Sequence, residues 1–447
     1  MRIVQAFKSP SFNYFAISFA FIRLISIANS FPARIDSDSG SYTSGDGFRN
    51  WNWVSLSGAE HGRGWPSILF FSLVSSDSGR IFILQILNMM SWIFFGFVGG
   101  KCVNPNTRTY FYLSLLLFGN STAGQFWNNW IGRESIAFSL TLFALSLQLY
   151  WLLSPAPSRK LVFYISILTS LYAITKPSLI FIGLVQIIFL LVKLNKHASN
   201  WPRKAASILF LFIISVYTLV NIGNQDRGWG NADPTGRTTK EIAYAYLISD
   251  FNANEKELRG YLALNGAPHC ATVKQPTTHN NLGGPMEFAA ELHSNCAGYS
   301  QWIKKSFYNR YFLYSITHLK STLELVSSQI RSAFALPNDS NNYEFVQFIE
   351  EKIINFMTIF ALLFLIYFVF LNFNQIKHQF IIRFLSALAI AFGASILFSL
   401  LIQPTHSGDI SRQNYVSSFM MRLIIVTAAL FVKSNAVDKG EKNFKIN

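Results

Sequence analysis

The sequence predicts an all-α fold: a polytopic transmembrane helical bundle of about ten spans, with interfacial helices and one large exported loop. Three observations predict it. The chain of 447 residues is 51% hydrophobic and only 13% charged, where a soluble domain carries about 25% charged residues. Its apolar residues come in blocks of roughly 17–22, the length that crosses a ~30 Å hydrocarbon core. Its basic residues collect in the short loops between those blocks, as the positive-inside rule requires. That placement makes the net charge of +15 a topology signal and argues against nucleic acid as a partner.

Spans are expected near 11–29, 80–99, 107–124, 136–153, 161–175, 178–194, 205–222, 352–371, 384–402 and 417–433. Placing both termini in the cytoplasm puts Lys101, Arg108, Arg159, Lys160, Lys193, Lys196, Arg203, Lys204, Lys377 and Arg383 on the inner side, with the basic tail. The opposite threading would export nearly all of them. Three divisions follow: an N-terminal transmembrane module, 1–222, with its first exported loop at 30–79; a large exported loop, 223–351, with an amphipathic helix; and a C-terminal transmembrane module with a cytoplasmic tail, 352–447.

Within the exported segments, Trp65 to Ser75 is apolar but too short to span, which suits a helix lying in the interface. From Phe307 to Leu336 apolar residues recur at Tyr308, Tyr311, Phe312, Ile316, Leu319, Leu323, Val326 and Ile330. That is helical spacing, with Lys and Arg opposite, and it predicts a second surface-lying helix running into the eighth span. Cys270 and Cys296 fall in the exported loop, where a disulfide between them can persist, while Cys102 falls in a cytoplasmic loop and stays reduced. Ala28-Asn29-Ser30 satisfies the small-x-small rule for signal cleavage. The length of the first apolar stretch, and Arg23 inside it, favour an uncleaved anchor.

Arg23 is costly inside a span unless it snorkels to the surface or meets a partner such as Asp36, Asp38 or a phosphate. Asp38 and Tyr42 stand four residues apart and would share one face of a helical turn. Asp36 is close enough to join them, and paired carboxylates can raise one pKa toward general-base use. The same stretch also reads as a polar turn or a loose cation site.

An Arg in the first span, followed about a dozen residues later by Asp38-x-x-x-Tyr42, resembles the GT-C class of membrane glycosyltransferases, which includes the protein O-mannosyltransferases and the lipid A aminoarabinose transferases. Further echoes follow in order. His61-Gly-Arg-Gly-Trp-Pro66 stands where the class has a His-Pro-rich turn. Arg133-Glu134 opens the fourth span, and Lys176-Pro177 takes the place of an Arg-Pro between paired helices. Arg412-Gln-Asn-Tyr415 precedes the last span. The likeness covers the hydrophobic layout of most of the chain. It departs in having Lys for Arg at Lys176 and an inserted loop in place of a large C-terminal domain.

The resemblance implies transfer of a sugar from a polyprenyl-phosphate donor to an acceptor outside the membrane, the acceptor being a cell-envelope glycan or glycolipid. Such chemistry needs a carboxylate to deprotonate the acceptor hydroxyl and cations to hold the departing phosphate. Asp38 is the first choice of base, with Asp36 second and Glu134 as acceptor-positioning or second acid. Arg23, Arg133, Lys176 and Arg412 are the phosphate-side cations, with Tyr42, Tyr415, His61 and His406 lining the substrate. No cofactor is certain from the sequence. A divalent cation is an open option, since Asp36 and Asp38 with a further carboxylate could ligate one. The expected setting is the lipid bilayer of a bacterial inner membrane, with the site on the periplasmic face.

Two other readings compete. A lipid-linked polysaccharide polymerase or ligase would use Arg227, Arg237, His269 and His293 of the large loop and could dispense with Asp38. A lipid or sugar transporter would show repeated halves and broken helices with polar groups at the midplane, and the chain shows neither clearly.

Overall fold

The structure is a computed structural model. It describes residues 9–29, 65–74, 76–126, 130–153, 159–195, 255–269, 284–335, 344–376, 380–402 and 407–444, with positions 128, 210, 241, 244, 245, 247 and 248. Every regular element among them is a helix. The N-terminal module supplies α1 (Pro10–Asn29), α2 (Trp65–Ser72), α3 (Asp77–Cys102), α4 (Pro105–Asn120), α5 (Thr122–Phe126), α6 (Arg133–Leu153), α7 (Arg159–Thr175) and α8 (Ile180–Asn195). The large loop supplies α9 (Glu255–Leu264), α10 (Gly284–Asn295), α11 (Tyr299–Trp302), α12 (Tyr308–Thr317) and α13 (Leu319–Phe334). The last module supplies α14 (Glu344–Ile376), α15 (Phe380–Ile402) and α16 (Ser407–Phe444).

Among the described residues six helices are long and apolar enough to cross a membrane: α1, α3, α6, α14, α15 and α16. Three further expected spans form helices of 16, 17 and 16 residues, namely α4, α7 and α8. The span expected at 205–222 lies outside the described residues apart from Phe210. Local chemistry fixes several boundaries. Ser76 caps α3 by accepting from the Gly79 N–H, and Asn104 caps α4 ahead of Pro105. Pro177 has no N–H to continue α7, so the chain passes through a 3₁₀ turn before α8 begins.

α16 is the central helix. It packs against α15, α14, α13, α4 and α6, and 89% of its apolar stretch is buried. α14 is peripheral, with 11% buried. Its row of exposed Phe, Leu and Ile side chains is what a lipid-facing helix presents. The bundle core is rich in aromatic rings, among them Phe19, Trp92, Phe118, Phe138 and Phe419.

The large loop forms a small subdomain with its own core, in which Tyr244, Leu258, Phe288, Tyr299, Phe307 and Tyr311 are buried. Cys296 belongs to that core and is disulfide-bonded, and Cys102 is a free thiol. Cys270 lies outside the described residues. The single amphipathic helix expected over 307–336 is two helices, because His318 leaves helical geometry at φ −115°, ψ 56°. The helix expected to begin at the interface near Trp65 is α2. It docks on the bundle through Phe71, packed with Ile81, Leu84, Ile131 and Ile136.

Candidate site at one end of the bundle

The C-termini of α1, α4 and α7 and the N-termini of α3, α6, α14 and α16 meet at one end of the bundle, and buried polar side chains concentrate there. Arg23 does not snorkel to the surface. It is fully buried, and its guanidinium is divided among neighbouring helices. Nη2 donates to Asn88 Oδ1 at 2.7 Å and to the Gly119 carbonyl at 2.6 Å, and Nη1 reaches Gln85 Oε1 at 3.5 Å. Nε has no acceptor among the described residues. Gln85 and Asn88 stand three apart on α3, hence on one face, and Asn88 passes the network to Ser139 of α6 at 3.4 Å. Gly119 permits this approach of α1 to α4: a Cβ there would sit 2.4 Å from the Phe19 ring.

A second knot lies where α6 begins. Glu134 is 2% exposed and Lys176 is 3% exposed, with Lys176 Nζ 3.7 Å from Glu134 Oε1. Arg133 Nε stands 3.9 Å from the same oxygen. Glu134 sits in the first turn of α6, where the helix dipole favours a negative charge. Lys176 holds its place because the α7 backbone ends there, its N–H donating to the Tyr172 carbonyl at 2.8 Å, and Pro177 turns the chain away. The pair therefore depends on the two boundaries that bring α6 and α7 together.

Tyr415 links the knot to α16. Its hydroxyl donates to the Ala123 carbonyl at 3.0 Å. Its ring centroid is 6.2 Å from that of Phe138, one turn beyond Glu134. Tyr415 was expected to precede the last span, but α16 begins at Ser407, so Arg412 and Tyr415 both lie on the helix itself. Glu350 of α14 closes the end by accepting the Thr122 N–H at 2.7 Å and the Thr122 hydroxyl.

The structure thus brings Glu134, Arg133 and Lys176 together and places Arg23 and Tyr415 at the same end. Asp36, Asp38, Tyr42, His61 and His406 lie outside the described residues, as does the side chain of Arg412. Sequence reasoning missed Gln85, Asn88, Ser139, Thr122 and Glu350. The signal for the first two was present: two amides three residues apart inside an apolar block, on a helix able to face Arg23. Among the described residues no group of three His, Cys, Asp or Glu side chains could hold a metal ion.

His293, a candidate of the polymerase reading, lies in the subdomain. Its Nδ1 is 2.9 Å from Glu241 Oε1 and 3.0 Å from Ser300 Oγ. A serine–histidine–acid relay uses opposite ring nitrogens. Here both partners share one, so the trio ties packing elements together.

No family model matches the chain, and no curated protein matches it. Two crystal structures of ArnT from Cupriavidus metallidurans are similar to it at 11% identity, each alignment covering 94% of this chain and 77% of that one. The apo state gives a TM-score of 0.33, and the state bound to undecaprenyl phosphate gives 0.31. A likeness that faint carries no argument about fold or chemistry.

Proposed function

We propose that this chain is a multi-pass membrane glycosyltransferase of the GT-C type. In this reading it moves a sugar from a polyprenyl-phosphate donor to a glycan or glycolipid acceptor of the cell envelope. The observation that carries the reading is the buried Glu134–Lys176 pair, flanked by Arg133, at the bundle end that also holds Arg23 and Tyr415. A bundle needs no such charges to fold, and ionisable groups inside membranes mark sites of function.

The chemistry assigns each group a task. Asp38 takes the proton of the acceptor hydroxyl as its oxygen attacks the anomeric carbon. The bond from that carbon to the phosphate oxygen breaks, and the phosphate leaves on its lipid carrying the electron pair. Lys176, Arg133 and Arg412 stabilise the charge that grows on the phosphate. Glu134 holds Lys176 in place and orients the acceptor. The membrane setting is the bacterial inner membrane with this end periplasmic.

The test is transfer in proteoliposomes from labelled polyprenyl-phosphate sugars to cell-envelope extracts. Asp38→Asn is expected to lose about 10²–10⁴-fold in rate, the worth of a general base, in protein that still inserts and folds, and Arg412→Ala to lose less. Full transfer by Asp38→Asn would overturn the base assignment. No transfer by wild type from any monosaccharide donor would overturn the reading and favour a polymerase or ligase.

A further inference from the structure

α13 passes from one core to another within 16 residues, a length of about 24 Å. At its start, Ser321 donates to Glu257 of α9, and Leu325 is part of the subdomain core. One residue on, Val326, and later Ala333, belong to a different cluster with Ile396 and Leu400 of α15. At its end, the Phe334 carbonyl accepts from Arg422 Nη2 at 2.5 Å, while Nη1 of the same arginine donates to Ser418 at 2.7 Å.

Arg422 lies eight residues beyond Asn414, where the apolar stretch of α16 begins, hence about 12 Å along the helix. Ile396 is six residues, about 9 Å, from the end of α15 at Ile402. Both partners put the C-terminus of α13 well inside the apolar zone. Helix-end carbonyls at that depth need a donor from the protein, and the buried guanidinium of Arg422 supplies one.

We propose that α13 is a membrane-dipping helix, re-entrant into the leaflet on the site's side, with acyl chains as the partner of its exposed apolar stripe. The sequence pattern alone predicts a helix lying flat, and its contacts make it oblique. At 3.6 residues per turn, Leu319, Leu323 and Ile330 fall within about 40° of one another, and all three are exposed. Lys320, Glu324, Ser327, Ser328 and Arg331 occupy the next ~100° and are also exposed, and the remaining face is buried against the two cores. One helix therefore carries three faces: one buried against protein, one exposed and apolar, and one exposed and polar. This inference does not depend on the sugar chemistry.

Full-length protein in lipid nanodiscs tests it, with Cys102→Ser as background and a fluorophore at one introduced cysteine: Leu319→Cys, Leu323→Cys, Ile330→Cys, Ser327→Cys, or Leu264→Cys in α9. The positions chosen are exposed, so the variants keep the packing. Nitroxide lipids, labelled near the glycerol or at mid-chain, and aqueous iodide serve as quenchers. Loss of fluorescence to nitroxide lipid is expected to grow from Leu319 through Leu323 to Ile330, with the mid-chain label gaining most at Ile330. Ser327 and Leu264 are expected to respond to iodide. An iodide response at Ile330 equal to that at Leu264 would overturn the proposal, as would equal lipid quenching along the stripe, or shielding of Ile330 from both quenchers.

Discussion

Among the described residues the bundle and the subdomain each bury one glutamate, and they hold it in opposite ways. Glu134 faces the ammonium of Lys176 across 3.7 Å, whereas Glu241, fully buried, is held by the Ser300 hydroxyl at 2.5 Å and the His293 imidazole at 2.9 Å. The second arrangement joins parts of a small core, with the Glu241 backbone also accepting from the Tyr299 hydroxyl at 3.1 Å, and packing accounts for it. The first is a buried ion pair, which repays its desolvation poorly as a stabiliser. The two carboxylates are alike in burial and differ in company: two side-chain cations stand by Glu134, a hydroxyl and an imidazole by Glu241.

The largest effect expected from this contrast is at Lys176. Lys176→Ala leaves Glu134 buried with Arg133, 3.9 Å away, as its remaining cation, and should destabilise the bundle by at most about 3–5 kcal/mol, the cost of breaking a buried pair. Glu134→Gln combined with Lys176→Met should recover most of that, since an apolar or neutral replacement of a buried pair is often neutral. Thermal unfolding in detergent checks both variants, and sugar transfer should remain absent in the rescued double variant. A double variant that transfers normally would make the pair structural and erase the difference from Glu241.

A smaller effect is expected in the subdomain. Cys296→Ser should cost about 2–4 kcal/mol, the usual worth of a disulfide, and the cost should stay local. Limited proteolysis and hydrogen exchange are expected to show α9 to α12 opening while α3, α6 and α16 remain protected. Equal loss of protection in the bundle would show that the two regions share one cooperative unit.

The same contrast explains how much could be read beforehand. Block length and the placement of Lys and Arg are period-independent signals, so α1, α3, α6 and α15 are legible within a few residues, as is the apolar stretch Asn414–Val432 of α16, while the helix ends of α14 and α16 run well beyond their apolar blocks. Chain breaks were less so: nothing in the apolar rhythm of 307–336 marks His318, whose geometry is set by stacking on Tyr314 at 4.5 Å and by the edge of Tyr261 at 5.3 Å. In the site, the residues carried over by resemblance were named in advance, but their partners were not. Gln85, Asn88 and the Gly119 carbonyl come to Arg23 from helices 62 to 96 residues away in sequence, and Glu350 comes to Thr122 from 228 residues away. Such pairings depend on how helices rotate against each other, which composition does not encode.

The smallest effect concerns alkaline stability and works through the buried tyrosines of the subdomain. Burial pushes the Tyr244 hydroxyl up to about 12, with Arg259 pulling slightly the other way. Burial also lifts Tyr308 to about 12 and Tyr299 well above the usual value. An unfolded tyrosine ionises near pH 10. Between about 10 and about 12 the unfolded chain has therefore lost protons that the folded chain retains, and stability falls as pH rises. Below pH 10 the contribution is intact. Tyr244→Phe keeps the ring contacts with Tyr299, Trp302 and Phe307, at centroid distances of 5.5, 5.9 and 5.4 Å, and removes one ionising group. Hydrogen exchange of α11 and α12 measured across that window should accelerate less steeply with pH in Tyr244→Phe than in wild type. Identical profiles would mean that Tyr244 does not couple proton loss to opening of the subdomain, and that its alkaline limit is set by the other tyrosines there whose hydroxyls burial lifts, Tyr299, Tyr308, Tyr311 and Tyr314.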